Sequence, residues 1–539
     1  MVWATGGALA VMLLLTCVLL AVVLYNGLGV FWPHAVAEVT LADGSKILGE
    51  PLRRDRNPDT GVVSVQFKTA NREVDPQRQD FHWYKQETIR SLTYPAAPFV
   101  LERTENGDFL GYLTSLKVPN LVVPQEAPLA SRFAIALGAV RDKRASEVQP
   151  IADQLSSLSN RLQELRHAIL KVEYRKKRLA TTSPSEMVVK PLDDQLAALE
   201  AKTNQIKRES DELVAAQQKS EAALRENVAV FADASGKTTT IPLVNVVRFY
   251  QPNSMGLFAK AGHYLAKVWE LLWEEPRESN TEGGLFPAIF GTVMLVFLMA
   301  IGCFPLGVLA GIYLGEYAKE NAFTRLVRIA VNNLAGIPSI VYGIFGLGFF
   351  IYGIGGLIDQ WFFPERVAGG MPTYGTGGIL WASLTLGLLT VPVVIVATEE
   401  ALRTIPRSFR EGSYALGATK LQTLARVLMP MASPGIMTGF ILAMARAAGE
   451  VAPLMITGVV KLAPGLPLDS HFPFFHLDRK FMHLGFHIYD VGFQSPNVEA
   501  SKPMVFVTTL LLLLIVLVMS SVAISLRNRM RRRFQIRTI

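Results

Sequence analysis

The sequence has little cysteine, and the positions of its cysteines exclude two common sources of stability. Only Cys17 and Cys303 occur in 539 residues. Each lies within a long apolar stretch, where neither a disulfide framework nor a thiolate metal site is plausible. Covalent cross-links are therefore excluded as the basis of the fold.

Charge is also scarce. Asp, Glu, Lys and Arg make up 18% of the residues and hydrophobic residues 50%, which argues against a disordered or purely soluble chain. The net charge is +8, but the basic residues do not cluster in a folded domain, so the excess does not indicate nucleic-acid binding. A group of arginines closes the chain in a tail at 527–539: Arg527, Arg529, Arg531, Arg532, Arg533 and Arg537.

The sequence lacks the GxxxxGK[ST] motif, which cradles nucleotide phosphates in ATP-hydrolysing proteins. Residues 38–282, which have a soluble composition, contain no evident catalytic constellation. We therefore predict that this protein is not an enzyme and that any ATP it depends on is hydrolysed by another subunit.

Long apolar stretches dominate what is present. A bilayer span needs roughly 20 mostly apolar residues, and six stretches meet this requirement. They are Met1–Ala37, Gly283–Gly315, Ile329–Ile358, Val367–Thr398, Val427–Val460 and Pro503–Leu526. The predicted fold class is an α-helical polytopic membrane protein with six transmembrane helices.

The first span, within residues 1–37, has an alternative interpretation as a cleaved signal peptide, because Ala35-Val36-Ala37 matches a small-x-small cleavage site. We favour an anchor. The apolar region is too long for a signal peptide, no basic segment precedes it, and the candidate site lies too far beyond Tyr25.

The orientation follows from the basic residues in the short loops. Placing the terminal arginines in the cytoplasm makes both termini cytoplasmic, and most loop lysines and arginines then also lie inside, as the positive-inside rule requires. We predict a multi-pass protein of a bacterial inner membrane.

Residues 38–282 have a soluble composition and form a predicted periplasmic α+β insertion. Turn pairs at Asp43-Gly44 and Asn106-Gly107, and the segment 232–236, predict β-hairpins. Between them, at about 147–226, two apolar seams with heptad spacing predict an antiparallel coiled-coil hairpin. The first seam is Ile151, Leu155, Leu158, Leu162, Leu165, Ile169 and Val172, and the second is Leu192, Leu196, Leu199, Ile206 and Leu213. We interpret this insertion as a spacer or docking post.

The cytoplasmic loop at 408–430 predicts two short helices joined at Gly417. Ser408 with Glu411, and Thr419 with Gln422, each match a capping box. We expect Gly417 to supply the turn after the first helix and Pro430 to stop the second. Such a rigid helix-turn-helix predicts a protein docking element.

This loop resembles the EAA signature of ABC import permeases, which reads Glu-Ala-Ala, three residues, Gly, nine residues, Ile-x-Leu-Pro. Glu411, Gly417 and Pro430 are in register, whereas Gly412, Ser413, Val427 and Met429 depart conservatively in size. Segments 332–350 and 446–454 resemble the PstA-type permease subunit of the phosphate ABC importer, and the resemblance extends from Gly283 to about Arg533. The large insertion departs from it.

The resemblance implies a transmembrane domain at 283–526 whose loop couples to an ATPase through Glu411, Gly417, Ala418, Thr419 and Pro430. It also implies three partners: a second related permease, a dimer of ATP-binding subunits and a periplasmic phosphate-binding protein. The chain itself would bind no cofactor, and ATP with Mg would be used by the partner.

Arg446 and Glu450 interrupt the fifth span. Ionisable residues within a bilayer need partners or a polar cavity, and this i, i+4 spacing lets the two side chains pair. The functional interpretation is that Arg446 lines the translocation path and binds a passing oxyanion, with Glu450 balancing its charge. The alternative is a permanent ion pair that only fixes helix packing.

Asn332, Asn333, Ser339 and Tyr342 of the third span are weaker candidates for the path. Glu399 and Glu400 are expected at the inner end of the fourth span, in contact with solvent or with loop arginines. A further external segment contains His471, His476, His483 and His487 with Asp478. Its spacing permits metal binding, but interleaved phenylalanines favour an aromatic cap, so we predict no metal site.

The sequence thus predicts the permease subunit of an ATP-driven phosphate importer. Two alternatives remain open: a permease for molybdate or sulfate, and a membrane-tethered scaffold whose coiled coil is the functional part.

Overall fold

The computed structural model describes residues 2–57, 61–71, 81–180, 186–277, 280–469, 474–495 and 498–534. The chain begins with helix α1 (Val2–Gly29), which is apolar along its whole length and packs along the last helix of the chain. Gly27 permits this contact, because a Cβ there would lie 3.2 Å from the Phe506 carbonyl oxygen.

The insertion contains two five-stranded antiparallel sheets. The first has the order β4-β3-β2-β1-β5 and the second β10-β6-β7-β8-β9. All three predicted hairpins are confirmed: β1 pairs with β2 around Asp43-Gly44, β6 with β7 around Asn106-Gly107, and β8 with β9 around 233–237. The strands are β1 (Ala37–Leu41), β2 (Lys46–Arg56), β3 (Val63–Lys68), β4 (Phe81–Lys85), β5 (Ile89–Thr93), β6 (Phe99–Arg103), β7 (Phe109–Lys117), β8 (Val228–Ala232), β9 (Thr238–Pro242) and β10 (Val246–Tyr250).

Two long helices leave the second sheet between β7 and β8. Helix α2 (Leu129–Lys143) packs on the sheet through Phe133 and continues through a π-helical turn, Arg144–Val148, into α3 (Gln149–Ala180). Helix α4 (Glu186–Arg225) returns alongside α3. The heptad positions of both helices are half-buried or buried, and Leu158, Val172 and Leu192 are buried. Helices α3 and α4 are called the arm below.

The chain returns to the membrane through α5 (Leu257–Trp273) and a two-residue ladder between β11 (Pro276–Arg277) and β12 (Glu282–Gly283). The helices that follow are α6 (Phe286–Ile312), α7 (Ala322–Leu334), α8 (Ser339–Phe345), α9 (Gly356–Phe362), α10 (Pro364–Ala368), α11 (Ile379–Arg403), α12 (Arg407–Ala415), α13 (Lys420–Thr423), α14 (Met429–Gly449), α15 (Ala452–Thr457), α16 (Leu484–Tyr489) and α17 (Val498–Phe534).

Six helical runs in the described part of the chain are long and apolar enough to cross a membrane, so the predicted number of spans is confirmed. They are Trp3–Gly29, Phe286–Tyr317, Ser339–Phe362, Ile379–Arg403, Lys420–Gly449 and Ser501–Arg532. The third span begins ten residues later than predicted. Pro338 disfavours helical backbone at Ile337 and cannot donate a hydrogen bond, so the apolar run 329–358 is divided between α7 and α8.

Glycines set the spacing of the central membrane helices. Gly307 and Gly311 of α6 face Val394 and Thr398 of α11, while Gly435 and Gly439 of α14 face Ala401 and Ala397 on another side of α11. A Cβ at Gly439 would lie 2.4 Å from the Ala397 Cβ. Small residues at these crossings allow the close backbone approach that membrane helices use in place of hydrophobic collapse.

Candidate functional site

Arg446 and Glu450 lie where the fifth span breaks. Helix α14 ends at Gly449, Glu450 has extended backbone geometry, and the chain resumes as α15 two residues later. The Arg446 Nε and Glu450 Oε1 atoms are 3.4 Å apart, and the two side chains are 34% and 20% exposed. The predicted pairing is therefore present, although Glu450 lies just beyond the helix rather than within it.

The pairing leaves most of the guanidinium available. A charge-assisted N–H···O bond is typically about 2.7–2.9 Å long, so the 3.4 Å separation indicates a weak contact. Among the described residues, neither terminal nitrogen of Arg446 has a hydrogen-bond partner. No protein group in the described part of the chain thus occupies the planar, bidentate donor edge that suits a carboxylate or phosphate.

A second interruption between helices lies opposite the one between α14 and α15. Residues 335–338 separate α7 from α8, and a Cβ at Gly343 of α8 would lie 2.8 Å from the Cα of Pro453 in α15. Tyr342 donates a hydrogen bond of 2.6 Å to the Leu334 carbonyl and lies within electrostatic range of Arg446. Interrupted helices that meet in this way are typical of ion and substrate sites in transporters.

The candidate path residues of the third predicted span are only partly brought together. Ser339 opens α8, one turn before Tyr342 on the same helix face. Asn332 and Asn333 do not belong to a span, contrary to the prediction, because α7 ends at Leu334 and the span begins at Ser339. Both asparagines are exposed, and within the described residues neither bonds to Arg446 or Glu450.

Pro453 does not interrupt a helix. It lies in the first turn of α15, where a missing N–H costs little. Ala443, Ala447 and Ala448 of α14 are buried in the membrane core beside Leu454. Small side chains thus bring α14 and α15 close to their neighbours, and Arg446 is carried on a face that is only half-buried.

The loop at 408–430 folds as two helices around a left-handed glycine. Gly417 has φ of 80°, and the N–H groups of Gly417 and Ala418 donate to the carbonyls of Tyr414 and Ser413. This is the glycine C-cap that the sequence predicts. Thr419 and Gln422 form the predicted capping box. Ser413 and Thr423 join the two helices through their hydroxyls, which are 2.9 Å apart.

Two details of the loop differ from the prediction. Ser408 and Glu411 do not form a capping box, because α12 begins at Arg407 after Pro406 and no side chain caps it. Pro430 does not stop the second helix. A π-helical turn, Leu424–Leu428, precedes it, and the helix continues to Gly449. Such a turn relieves the backbone strain that a proline otherwise causes.

The loop is fixed to the second span through a buried ion pair. The Arg410 guanidinium donates to Glu316 at 2.5 and 3.1 Å, and to the carbonyls of Leu402 and Ile405 at 2.8 Å. Glu316 belongs to the π-helical turn that ends the second span.

The other side of the loop is exposed. Glu411 and Tyr414 are exposed beside Leu416 and Leu421, which are 90% and 66% exposed. The loop thus has a fixed inner side and an apolar outer surface.

Glu399 lies near the C-terminal end of the fourth span, and its predicted contact with arginines is present. Its carboxylate accepts hydrogen bonds from Arg328 at 2.8 Å and Arg403 at 2.7 Å. Arg328 also bonds to Glu320 and to the Leu314 carbonyl. This cluster ties α7 and α11 to the end of the second span.

The described histidines of segment 471–487 have structural partners. His483 caps α16 by accepting the Gly485 N–H at 3.1 Å, and His487 bonds to the Asn280 carbonyl and the Thr508 hydroxyl. Burial lowers the pKa of His483 to about 3 and that of His487 to about 4. His476 bonds to Asp469, and His471 lies outside the described residues. Of the accompanying phenylalanines, Phe481 is fully buried, whereas Phe474 and Phe475 are exposed.

Sequence reasoning missed a contact between the arm and the transmembrane domain. Arg366, after the third span, bonds to His167 of α3 at 2.8 Å and to Thr373 at 2.6 Å. A Cβ at Gly369 would lie 2.8 Å from Leu170 of the arm. No pattern in the sequence links these distant positions. The arm therefore touches the segment that follows the third span rather than only projecting from its base.

Comparisons with known proteins match the transmembrane half of the chain. A family model described as the inner membrane component of binding-protein-dependent transport systems matches residues 307–532. A probable ABC transporter permease protein of Bacillus subtilis, YqgI, is 32% identical over 225 residues, covering 40% of this chain and 70% of that protein.

A second relative is named for its substrate. The probable phosphate transport system permease protein PstA of Methanocaldococcus jannaschii is 36% identical over 192 residues, covering 35% of this chain and 60% of that protein. The predicted resemblance to PstA-type permeases is thereby confirmed. Among solved structures, an inward-facing MetNI methionine ABC transporter is 20% identical, covering 49% of this chain and 98% of that one, with a TM-score of 0.33. That similarity is too low to support an argument.

Proposed function

Because the chain belongs to the family of binding-protein-dependent transport system inner membrane components, we propose that it is the permease subunit of an ATP-driven inorganic phosphate importer. The family consists of transport permeases rather than enzymes, and ATP hydrolysis belongs to a separate subunit. The observation that carries the proposal is the free donor edge of Arg446, half-buried where two interrupted helices meet.

Phosphate suits this site chemically. A guanidinium presents two parallel N–H donors to an oxyanion. The attraction between the two opposite charges is stronger where water is scarce. Glu450 would balance the charge of Arg446 while the path is empty, and the weak 3.4 Å contact would yield to an incoming anion. Relatives named as phosphate permeases support this substrate.

Coupling to ATP hydrolysis would pass through the loop at 407–430. The second loop helix and the helix that carries Arg446 form one run, Lys420–Gly449, about 45 Å long at 1.5 Å per residue. A displacement of the exposed loop surface would therefore be transmitted along this helical run to its far end, where Arg446 lies. Glu411, Gly417, Ala418, Thr419 and Pro430 would shape that coupling element.

The proposed assembly needs three further components. One six-span subunit supplies half of a path, so a second related permease would complete it. A dimer of ATP-binding subunits would dock on the cytoplasmic loop, and a periplasmic binding protein would deliver phosphate. The basic tail and short loops support an inner-membrane orientation with both termini in the cytoplasm.

The substrate is tested by labelled phosphate uptake in cells that lack their own copy of the gene. We expect the intact chain, expressed with its partner subunits, to restore uptake that excess molybdate or sulfate does not inhibit. Inhibition by either competitor would favour the alternative oxyanion. No restored uptake, with the chain present in the membrane, would contradict the phosphate assignment.

The scaffold alternative makes the opposite prediction about the loop. If the chain is a permease subunit, an ATPase should copurify with it, and Leu416→Asp together with Leu421→Asp on the exposed loop surface should abolish that copurification. A double aspartate variant at exposed arm positions, Lys202→Asp and Lys207→Asp, serves as the control. If no ATPase copurifies with the intact chain, a scaffold would be favoured, and copurification that survives the loop variant would contradict docking at this loop surface.

A further inference from the structure

Helix α5 exposes its apolar face. Phe258, Leu265, Trp269 and Trp273 are 93%, 67%, 65% and 58% exposed. With Gly262 and Ala266 they fall at i, i+4, i+7, i+8, i+11 and i+15, so they form a single stripe along the helix. A stripe of this kind in water would be a strong liability.

The opposite face carries the charges and is turned toward the insertion. The side chains of His263, Lys267 and Glu270 are 7%, 18% and 2% exposed. Lys267 bonds to Glu102 at 2.7 Å, and Arg248 lies 3.0 Å from Glu270. Arg277 also pairs with Glu270. Helix α5 thus buries its charged face and exposes its apolar face, whereas a surface helix of a soluble domain buries its apolar face.

Aromatic contacts place α5 at the level where two spans leave the membrane. Near its middle, Tyr264 packs against Phe31 and Trp32, just beyond the end of α1, with ring centroids 6.5 and 6.4 Å apart. At its end, Trp273 stacks on Phe286, the first residue of α6, at 5.9 Å. Helix α5 therefore lies beside the ends of spans one and two, both of which are long and apolar enough to cross a membrane.

We infer that the apolar face of α5 is a lipid-binding surface that lies in the outer interface of the bilayer. Tryptophan and other amphipathic aromatic residues concentrate at this level of a membrane, and helices with one apolar face lie in its plane. The charged face then forms the polar contact with the insertion, so α5 fixes the insertion against the membrane surface.

Spin-label accessibility tests this placement in the full chain. In a Cys17→Ser, Cys303→Ala background, single cysteines would replace Phe258, Leu265 and Trp269. Two controls bracket the result: Leu442→Cys on α14, which is 58% exposed within the fifth span, and Lys202→Cys on the exposed side of the arm. Accessibility to oxygen and to a water-soluble nickel chelate would be measured in nanodiscs of phosphatidylethanolamine and phosphatidylglycerol.

We expect the three α5 labels to match Leu442→Cys, with an oxygen-to-nickel accessibility ratio several-fold above that of Lys202→Cys. Labels that match Lys202→Cys would show that the face lies in water and would overturn the inference. The measurement is repeated after the partner subunits are added. Labels that then become inaccessible to both reagents would show that a protein covers this face, which would also overturn it.

Discussion

At the scale of single residues, backbone contacts at glycine decide which substitutions the membrane helices tolerate. We predict that Gly439→Ala lowers the free energy of unfolding by about 1–3 kcal/mol, because its Cβ would lie 2.4 Å from that of Ala397 and the two helices would have to separate. Thermal unfolding in detergent measures the effect. Gly348→Ala, in the third span with no atom near the new Cβ, is the control. Equal melting temperatures for the two variants would contradict the predicted packing.

The buried carboxyl of Glu50 makes the stability of the insertion depend on pH, and the direction of that dependence can be stated. Burial raises the pKa of this carboxyl from 4.5 to about 7. The folded chain therefore keeps a proton there that the unfolded chain releases above about pH 4.5. The free energy of unfolding falls as pH rises from about 4.5 to about 7, by roughly 3 kcal/mol in total.

The test compares the intact chain with Glu50→Gln, so that opposing groups such as His263, whose pKa burial lowers to about 4, cancel in the difference. Hydrogen exchange of strands β1–β3 reports the local stability. We expect the variant to be more stable than the intact chain at pH 8 and to lose this advantage at pH 5. If the two chains show the same change in stability between pH 5 and pH 8, the raised pKa of Glu50 is contradicted.

The sequence could predict those parts of the site in which the interacting residues lie close together in the chain. The Arg446–Glu450 pair and the Thr419 capping box span three or four residues, so spacing alone located them. The weak contact that leaves Arg446 free depends on where α14 ends, which the continuous apolar run concealed. The position of Tyr342 near Arg446 results from packing between distant helices, and no local pattern encodes it.

At the scale of elements, the buried Arg410–Glu316 pair is expected to hold the coupling loop on the second span. We predict that Glu316→Gln reduces phosphate uptake and lowers the melting temperature, because the Arg410 charge would remain only 18% exposed without a counter-ion. Removing one partner of a buried pair typically costs about 3–5 kcal/mol. Both effects are measured on membranes with equal amounts of the chain.

Glu320→Gln is the matched control. Its pair with Arg328 is solvent-exposed on the glutamate side, and exposed pairs contribute little to stability. We therefore expect this variant to retain uptake and melting temperature. If the two glutamine variants behave alike, the Arg410–Glu316 contact does not position the loop.

Element boundaries show where the sequence patterns succeed and fail. The glycine turn at Gly417 was predictable because its left-handed geometry favours glycine. Pro430 predicted a helix end, but the π-helical turn before it accommodates the proline, and such turns have no simple sequence pattern. Helix α5 was assigned to the insertion, although the spacing of Phe258, Leu265, Trp269 and Trp273 could have identified an amphipathic helix.

At the scale of the whole molecule, we expect the arm to be separable from the proposed transport path, although it contacts Arg366 and Gly369. Val148 and Leu224 pack in one cluster, so the ends of the arm are adjacent and a short glycine-serine linker could replace 150–224. We predict that this replacement leaves at least half of the phosphate uptake, because the path and the loop lie in other elements. Uptake assays at equal membrane levels measure it. Complete loss of uptake with a folded chain would instead assign the arm an essential role.

The number of spans and the hairpins of the insertion could be predicted because each depends on local composition or turn chemistry. The contact of the arm with Arg366 and Gly369 could not, because it joins residues about 200 positions apart. Such contacts depend on the relative placement of the insertion and the transmembrane helices, which no single segment determines.

Phosphate uptake by three forms of the chain tests the central claim, that the free guanidinium edge of Arg446 binds the transported anion. The forms are intact, Arg446→Lys and Arg446→Ala, compared at equal levels in the membrane. We predict that alanine reduces uptake at least tenfold and that lysine, which keeps the charge without the planar donor pair, restores only part of it. Full uptake by Arg446→Ala would contradict the claim and leave the Arg446–Glu450 pair a packing contact.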